Sequence, residues 1–143
     1  MRRAFLMSLF GVLSGCAQVA LAPLTSVCTD YDFDDDDSAT FVVRADTDAD
    51  GAPDSDVLTA GSDIHVSRVG MFMGCEDVFV PELAGGGRNV EVREFWEENT
   101  DGDCSLCFAP TVVLSSAPAG KFSIGWFDGY ADEPVGTLEF RVE

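Results

Sequence analysis

From Ala39 to Glu143 the chain alternates apolar and polar residues in short runs that are broken by Gly, Pro, Asp and Ser, and no long run carries apolar residues at helical spacing. The pattern predicts strands. In the C-terminal GTLEFRVE, Leu138, Phe140 and Val142 alternate with Glu139, Arg141 and Glu143, so one face is buried and the other wet. GKFSIGWFDG sets Phe122, Ile124 and Trp126 on one face, and the turn-rich DGYADEPVG after it predicts a hairpin with the C-terminal strand. SATFVVRAD and PTVVLSS do the same with Phe41 and Val43, and with Val112 and Leu114. RNVEVREFW alternates through Val90 and Val92 and then shifts toward Phe95 and Trp96. In SDIHVSRVGMFMG, Ile64 and Val66 are in phase, whereas Val69, Met71 and Met73 follow after an offset of one residue, which predicts a bulge near Ser67 and Arg68. With DVFVPEL these runs make about seven strands, and the expected fold is all-β, an antiparallel sandwich of immunoglobulin-like type.

The first residues follow a different pattern. MRRAFLMSLFGVLSGCAQ places two arginines before an apolar run too short to span a bilayer permanently, and the run ends in small residues and a cysteine. Leu13-Ser14-Gly15-Cys16 resembles the lipobox of bacterial lipoproteins. That resemblance implies a signal peptide over residues 1–15, cleavage after Gly15, a diacylglycerol thioether on Cys16 and an acylated new N-terminus. Ala17 at the second mature position implies sorting to the outer membrane. Cleavage after Ala20-Leu21-Ala22 is the competing reading, and it would put Pro23 at the first mature position. Arg2-Arg3-Ala4-Phe5-Leu6 is also similar to the twin-arginine export consensus, so the export route stays open. Residues 16–38 lack periodicity and finish in CTDYDFDDDDS, which reads as a disordered acidic tether ahead of a β-domain over residues 39–143.

Charge and cysteines narrow the function classes. Of eight basic residues, loss of Arg2 and Arg3 with the signal leaves six against 26 acidic ones, a net charge of −20. Nucleic acid would be repelled, while cations and basic partners are compatible. Five cysteines are an odd number; with Cys16 lipidated, Cys28, Cys75, Cys104 and Cys107 remain for two disulfides with three possible connectivities. Cys104 with Cys107 and Cys28 with Cys75 is the preferred pairing.

One stretch carries candidate metal chemistry. DTDADGAPDSD, residues 46–56, holds five aspartates around Gly51 and Pro53. Counting Asp46 as position 1, Asp48 and Asp50 fall at 3 and 5, Gly51 at 6, the Ala52 carbonyl at 7 and Asp54 at 9, the core of an EF-hand loop. With Pro53 the stretch also resembles the calcium-binding repeats of thrombospondin type 3, which wrap the ion without flanking helices. The resemblance implies calcium ligation by Asp46, Asp48, Asp50, Ala52, Asp54 and Asp56. The twelfth position is Val57 rather than an acidic residue, so Asp56 or a carboxylate from another loop, such as Asp101 or Asp103, would have to complete the shell. The alternative is an acidic turn whose Gly and Pro shape the chain and nothing more.

Other constellations are weaker. Cys104-Ser105-Leu106-Cys107 has redox or zinc spacing, but Pro110 and a strand-like TVVL follow where a helix would be needed, which favours a structural disulfide loop. His65 with Met71, Met73 and Cys75 raises copper, against which stands the reading of core methionines and a surface histidine. No nucleophile and base pair can be assigned. The expected protein is therefore an exported, lipid-anchored binding or structural module with an unidentified protein or carbohydrate ligand, and the alternative is an extracytoplasmic redox or metal-handling protein.

Overall fold

The computed structural model describes residues 17–22, 40–69, 71–74, 78–97 and 105–143, with the backbone alone for Thr40 and for residues 71–74 and 105–108. No helix occurs among them; ten strands do. These are β1 (Gln18–Leu21), β2 (Thr40–Asp46), β3 (Asp63–Val69), β4 (Met71–Gly74), β5 (Val78–Gly86), β6 (Asn89–Glu97), β7 (Ser105–Phe108), β8 (Thr111–Ser115), β9 (Gly120–Asp128) and β10 (Gly136–Val142). One four-stranded sheet has the order β1-β8-β3-β2, a second has β10-β9-β6-β5, and β4 and β7 form a two-stranded ribbon.

Alternation builds the core as expected. Ile64, Val66, Val112 and Leu114 of the first sheet and Val90, Val92, Phe122, Ile124, Trp126 and Val142 of the second form one buried cluster. The Phe41 and Trp126 rings meet across it at 5.5 Å between centroids. The two sheets therefore share one apolar interior in a sandwich-like arrangement.

Three expectations are corrected by the strand pairing. β6 and β9 run parallel, so the second sheet is mixed; all other strand pairs are antiparallel. The long excursion between β6 and β9, through β7 and β8 in the other part of the molecule, is what makes a parallel pairing reachable. The strand count exceeds seven because Met71–Gly74 pairs as a strand of its own with Ser105–Phe108, which the pattern did not single out, and Gln18–Leu21 adds another. The third correction concerns the linker. Gln18–Leu21, read as part of the tether, pairs with Leu21↔Val112 through Gln18↔Ser115 and edges the first sheet, with Ala17 buried in the core. Its short side chains and single turn of alternation left too little pattern to detect.

The phase slip has its structural counterpart. Between Ser67↔Thr111 and Met71↔Phe108 one strand advances four residues and the other three, so a single extra residue lies on the Ser67–Met71 side. The hairpin is also present, with Gly136↔Trp126 to Val142↔Gly120 in register.

The two ends of the body differ. At one end lie the start of β1, the ends of β2 and β8, the 116–119 turn, the β5–β6 hairpin turn and the C-terminal Glu143, tied to Leu58 and Ala60 by backbone hydrogen bonds of 2.9 and 2.6 Å. At the other lie the ends of β6 and β9 and the turn carrying Tyr130.

Candidate metal centre

The aspartate loop leaves the end of β2 and returns to it. Ala45 N–H donates to the Ser55 carbonyl at 2.7 Å, and Asp54 and Ser55 N–H both donate to the Ala45 carbonyl, at 2.9 and 3.0 Å. An isolated antiparallel bridge, Ala45↔Ser55, thus closes the loop at its base. Within it, alternate aspartates turn inward and each accepts a backbone N–H further along. Asp46 Oδ2 accepts from Gly51 at 2.7 Å, Asp48 Oδ1 from Asp50 at 3.3 Å, and Asp50 Oδ1 from Ala52 at 2.8 Å. The curl passes through Ala49 at φ 58° and Gly51 at φ 91°, and at the second only glycine avoids strain.

One carboxylate oxygen from each of Asp46, Asp48 and Asp50 lies within 4.8 Å of the others. Oxygens that share one calcium ion are at most about 5 Å apart, so these three can hold it together. Asp46 is 1% exposed, whereas Asp48 and Asp50 face solvent. Asp46 Oδ1 is buried and makes no hydrogen bond. A buried anionic oxygen left without a partner is costly, and a cation on that oxygen would remove the cost.

The remaining predicted ligands are held elsewhere. Asp54 accepts from Thr47 twice, from its N–H at 3.0 Å and its hydroxyl at 2.7 Å. Asp56 accepts from Arg44 Nε at 3.1 Å and is largely exposed. Ala52 lies in the loop and gives its N–H to Asp50. Asp56 therefore does not stand in the place that Val57 leaves open; Asp101 and Asp103 lie outside the described residues. Water and backbone carbonyls would complete the shell, which is the condition of a weak site. His65, expected at the surface, is mostly covered, with Nε2 4.0 Å from Asp46 Oδ2.

Titration follows from these bonds. Burial works against ionisation of Asp46, but the Gly51 N–H, a hydrogen bond with the Asp48 carboxyl and the N–H groups of Ala49 and Asp50 outweigh it and hold its carboxyl below the ordinary 3.8. Asp48 receives the Asp50 N–H, which favours its anion, yet the bond shared with Asp46 together with the charge of Asp50 and desolvation pushes it above the ordinary value. Of the two, Asp48 is therefore the one that takes up a proton first as the pH falls. Asp54 is held low by the Thr47 hydroxyl and N–H.

Of the other predicted residues, Cys16, Cys28, Cys75 and Cys104 lie outside the described residues, as does residue range 1–15. Cys107 lies on β7, opposite Phe72 in the ribbon, and Met71 and Met73 lie on β4. The strand course of residues 105–108 replaces the helix that a thioredoxin-like dithiol would need.

A second polar group was not foreseen. Glu94 is buried on β6, in register with Val90 and Val92, and Arg68 of β3 reaches it across the interior with a hydrogen-bonded ion pair. Glu94 Oε1 and the buried Trp126 Nε1 each lack a hydrogen bond of ordinary geometry. Burial pushes the Glu94 carboxyl above the ordinary 4.5, although Arg68 and the Trp126 indole favour its anion, and Asp128 adds to the rise. Strict alternation from Val90 would have predicted Glu94 as inward-facing; the two aromatics after it masked that signal. Between the edges of β1 and β5 a cleft of about 220 Å³ is lined by Leu21, Ala22, Phe79, Pro81, Pro110 and Thr111, none of them ionisable.

No protein-family model matches the chain, and neither a curated protein nor a solved structure matches it.

Proposed function

We propose that the protein is an exported lipoprotein, anchored through Cys16 to the outer membrane or cell surface, whose β-sandwich is stabilised by calcium at Asp46, Asp48 and Asp50. The body, immunoglobulin-like in its two packed sheets, serves a binding or structural role toward a protein or carbohydrate ligand, not nucleic acid. The observation that carries the metal reading is the convergence of one carboxylate oxygen each from Asp46, Asp48 and Asp50, together with a buried Asp46 Oδ1 that has no hydrogen bond. All three donors are hard oxygens, which suits calcium or magnesium and not copper. Lipid attachment rests on the lipobox resemblance alone. Among the described residues no helix is long and apolar enough to cross a membrane.

The residues present would bind the ion as follows. Asp46 would supply a fixed oxygen from the end of a core strand, and Asp48 and Asp50 would close over the ion from the solvent side. Because calcium would bind the closed loop and not the unfolded chain, it raises the melting temperature by mass action. For a site of about millimolar affinity the rise at ten times that concentration is roughly 5 °C. No rise in the presence of millimolar calcium contradicts the proposal.

A further inference from the structure

The aspartate loop and the start of β1, which follows the proposed lipid attachment in sequence, belong to the same end of the molecule. β1 starts at Gln18, which pairs with Ser115 at the end of β8, and Ile64 and Ala45 continue the next row through Leu114. Asp46 pairs with Asp63, whose carboxylate accepts the Ser116 N–H at 2.7 Å. Three interstrand steps, about 15 Å, separate the N-terminal edge from the loop base. Ala17 is already buried in the core, so a lipid on Cys16 is bonded to the residue next to the packed body. Consecutive Cα atoms are about 3.8 Å apart, which leaves no length for a spacer.

An anchored body without a spacer holds that end within about one Debye length of the lipid headgroups, where charge repulsion is not screened away. The mature protein is strongly acidic, with a formal charge of −20, and the loop places five aspartates within eleven residues at this end. A divalent cation at Asp46, Asp48 and Asp50 lowers three negative charges to a net of one and so weakens that repulsion. The exposed carboxylates leave its outer side open to further oxygen ligands. Two residues past the loop base, where its N–H donates to Ser55 Oγ, Val57 stands 69% exposed in the same connection. Lys121 and Arg141, both exposed, lie toward the same end on β9 and β10.

We propose that this end lies on the membrane surface, and that the cation held by Asp46, Asp48 and Asp50 is shared with phosphate oxygens of lipid headgroups while Val57 enters the headgroup region. The inference rests on the lipid anchor and the cation site proposed above.

The test uses the mature lipoprotein, acylated at Cys16, in vesicles of phosphatidylethanolamine and phosphatidylglycerol in which part of the lipid is brominated close to the headgroup. Val57→Trp places a reporter beside the loop, and Tyr130→Trp places one at the opposite end, where Tyr130 is 90% exposed. Millimolar calcium is expected to halve the added emission of Val57→Trp and to leave Tyr130→Trp unchanged, with recovery on chelation. Asp50→Asn, an exposed change that leaves the core alone, is expected to remove the calcium dependence. Equal quenching at both positions overturns the orientation. Unchanged Val57→Trp emission in a protein whose melting temperature still rises with calcium overturns the headgroup contact and leaves the metal reading standing. An intact mass without acyl chains on Cys16 overturns the anchor, and the orientation with it.

Discussion

Two buried carboxylates sit at opposite ends of the body and are handled in opposite ways. Asp46 pairs with no Arg or Lys among the described residues, and the backbone N–H groups of its own loop favour its anion. Glu94 has a guanidinium directly on it, yet burial between two sheets keeps its carboxyl above the ordinary range. The difference teaches that a loop can stabilise an anion cheaply because several N–H dipoles converge on one oxygen. A strand cannot, because its N–H groups are already spent in the ladder, so a carboxylate in a strand needs a charge from the facing sheet. Only the first arrangement brings two further carboxylates alongside the buried one.

The strongest way to break the comparison is to remove the guanidinium. Arg68→Ala leaves Glu94 buried without its countercharge, and unfolding by denaturant is expected to show a loss of about 3 to 5 kcal/mol at neutral pH. Chemical denaturation at lower pH is expected to recover part of that loss, because the protonated Glu94 no longer needs the countercharge.

Asp46→Asn acts on the other end. It is expected to abolish the calcium-dependent rise of roughly 5 °C, read by calorimetry with and without the ion. A variant that keeps the full rise would move the site away from Asp46.

Acid separates the two groups by sign. Glu94, raised above 4.5, contributes stability that is present below its unfolded value and lost as pH rises through its folded value. Asp46 and Asp54, held below 3.8, contribute stability that is present above that value and lost as pH falls through their folded values. The stability of the wild type relative to Glu94→Gln is therefore expected to grow on acidification from the raised Glu94 pKa toward 4.5. Calcium stabilisation is expected to fade in the same direction, beginning above the ordinary aspartate range because Asp48 is raised. Melting curves across that window, with and without calcium, check both slopes.

The smallest effects sharpen the loop. Thr47→Val removes the hydroxyl from Asp54 and is expected to lower the melting temperature by about 3 °C. Arg44→Gln breaks an exposed pair with Asp56, and the expected change is below about 2 °C.

Much of the fold was legible in the sequence where one face is apolar and the other polar over a full strand, as in β9 and β10. The bulge was legible too, since an extra residue shifts every later side chain by one and leaves a visible slip. β1 was not, because four residues of small and medium side chains at a sheet edge carry too little contrast. The parallel β6–β9 pairing was not legible either, because it depends on where distant strands meet. In the candidate site, Asp46, Asp48 and Asp50 were legible from spacing, since alternation and a glycine dictate which side chains converge. The bonds that Asp54 and Asp56 make were not legible, because their partners Thr47 and Arg44 come from the far side of the loop closure, which spacing does not record. Glu94 was hidden by Phe95 and Trp96. Phe95 packs outward on Tyr130 and Trp96 lies against Phe79, so the alternation never shifted.

Equilibrium dialysis of the full mature chain against calcium, with Asp46→Asn alongside, measures the central claim directly. One ion per chain retained by the wild type and none by the variant is the predicted result. Equal retention by both, or none by either, would contradict a cation site built on Asp46.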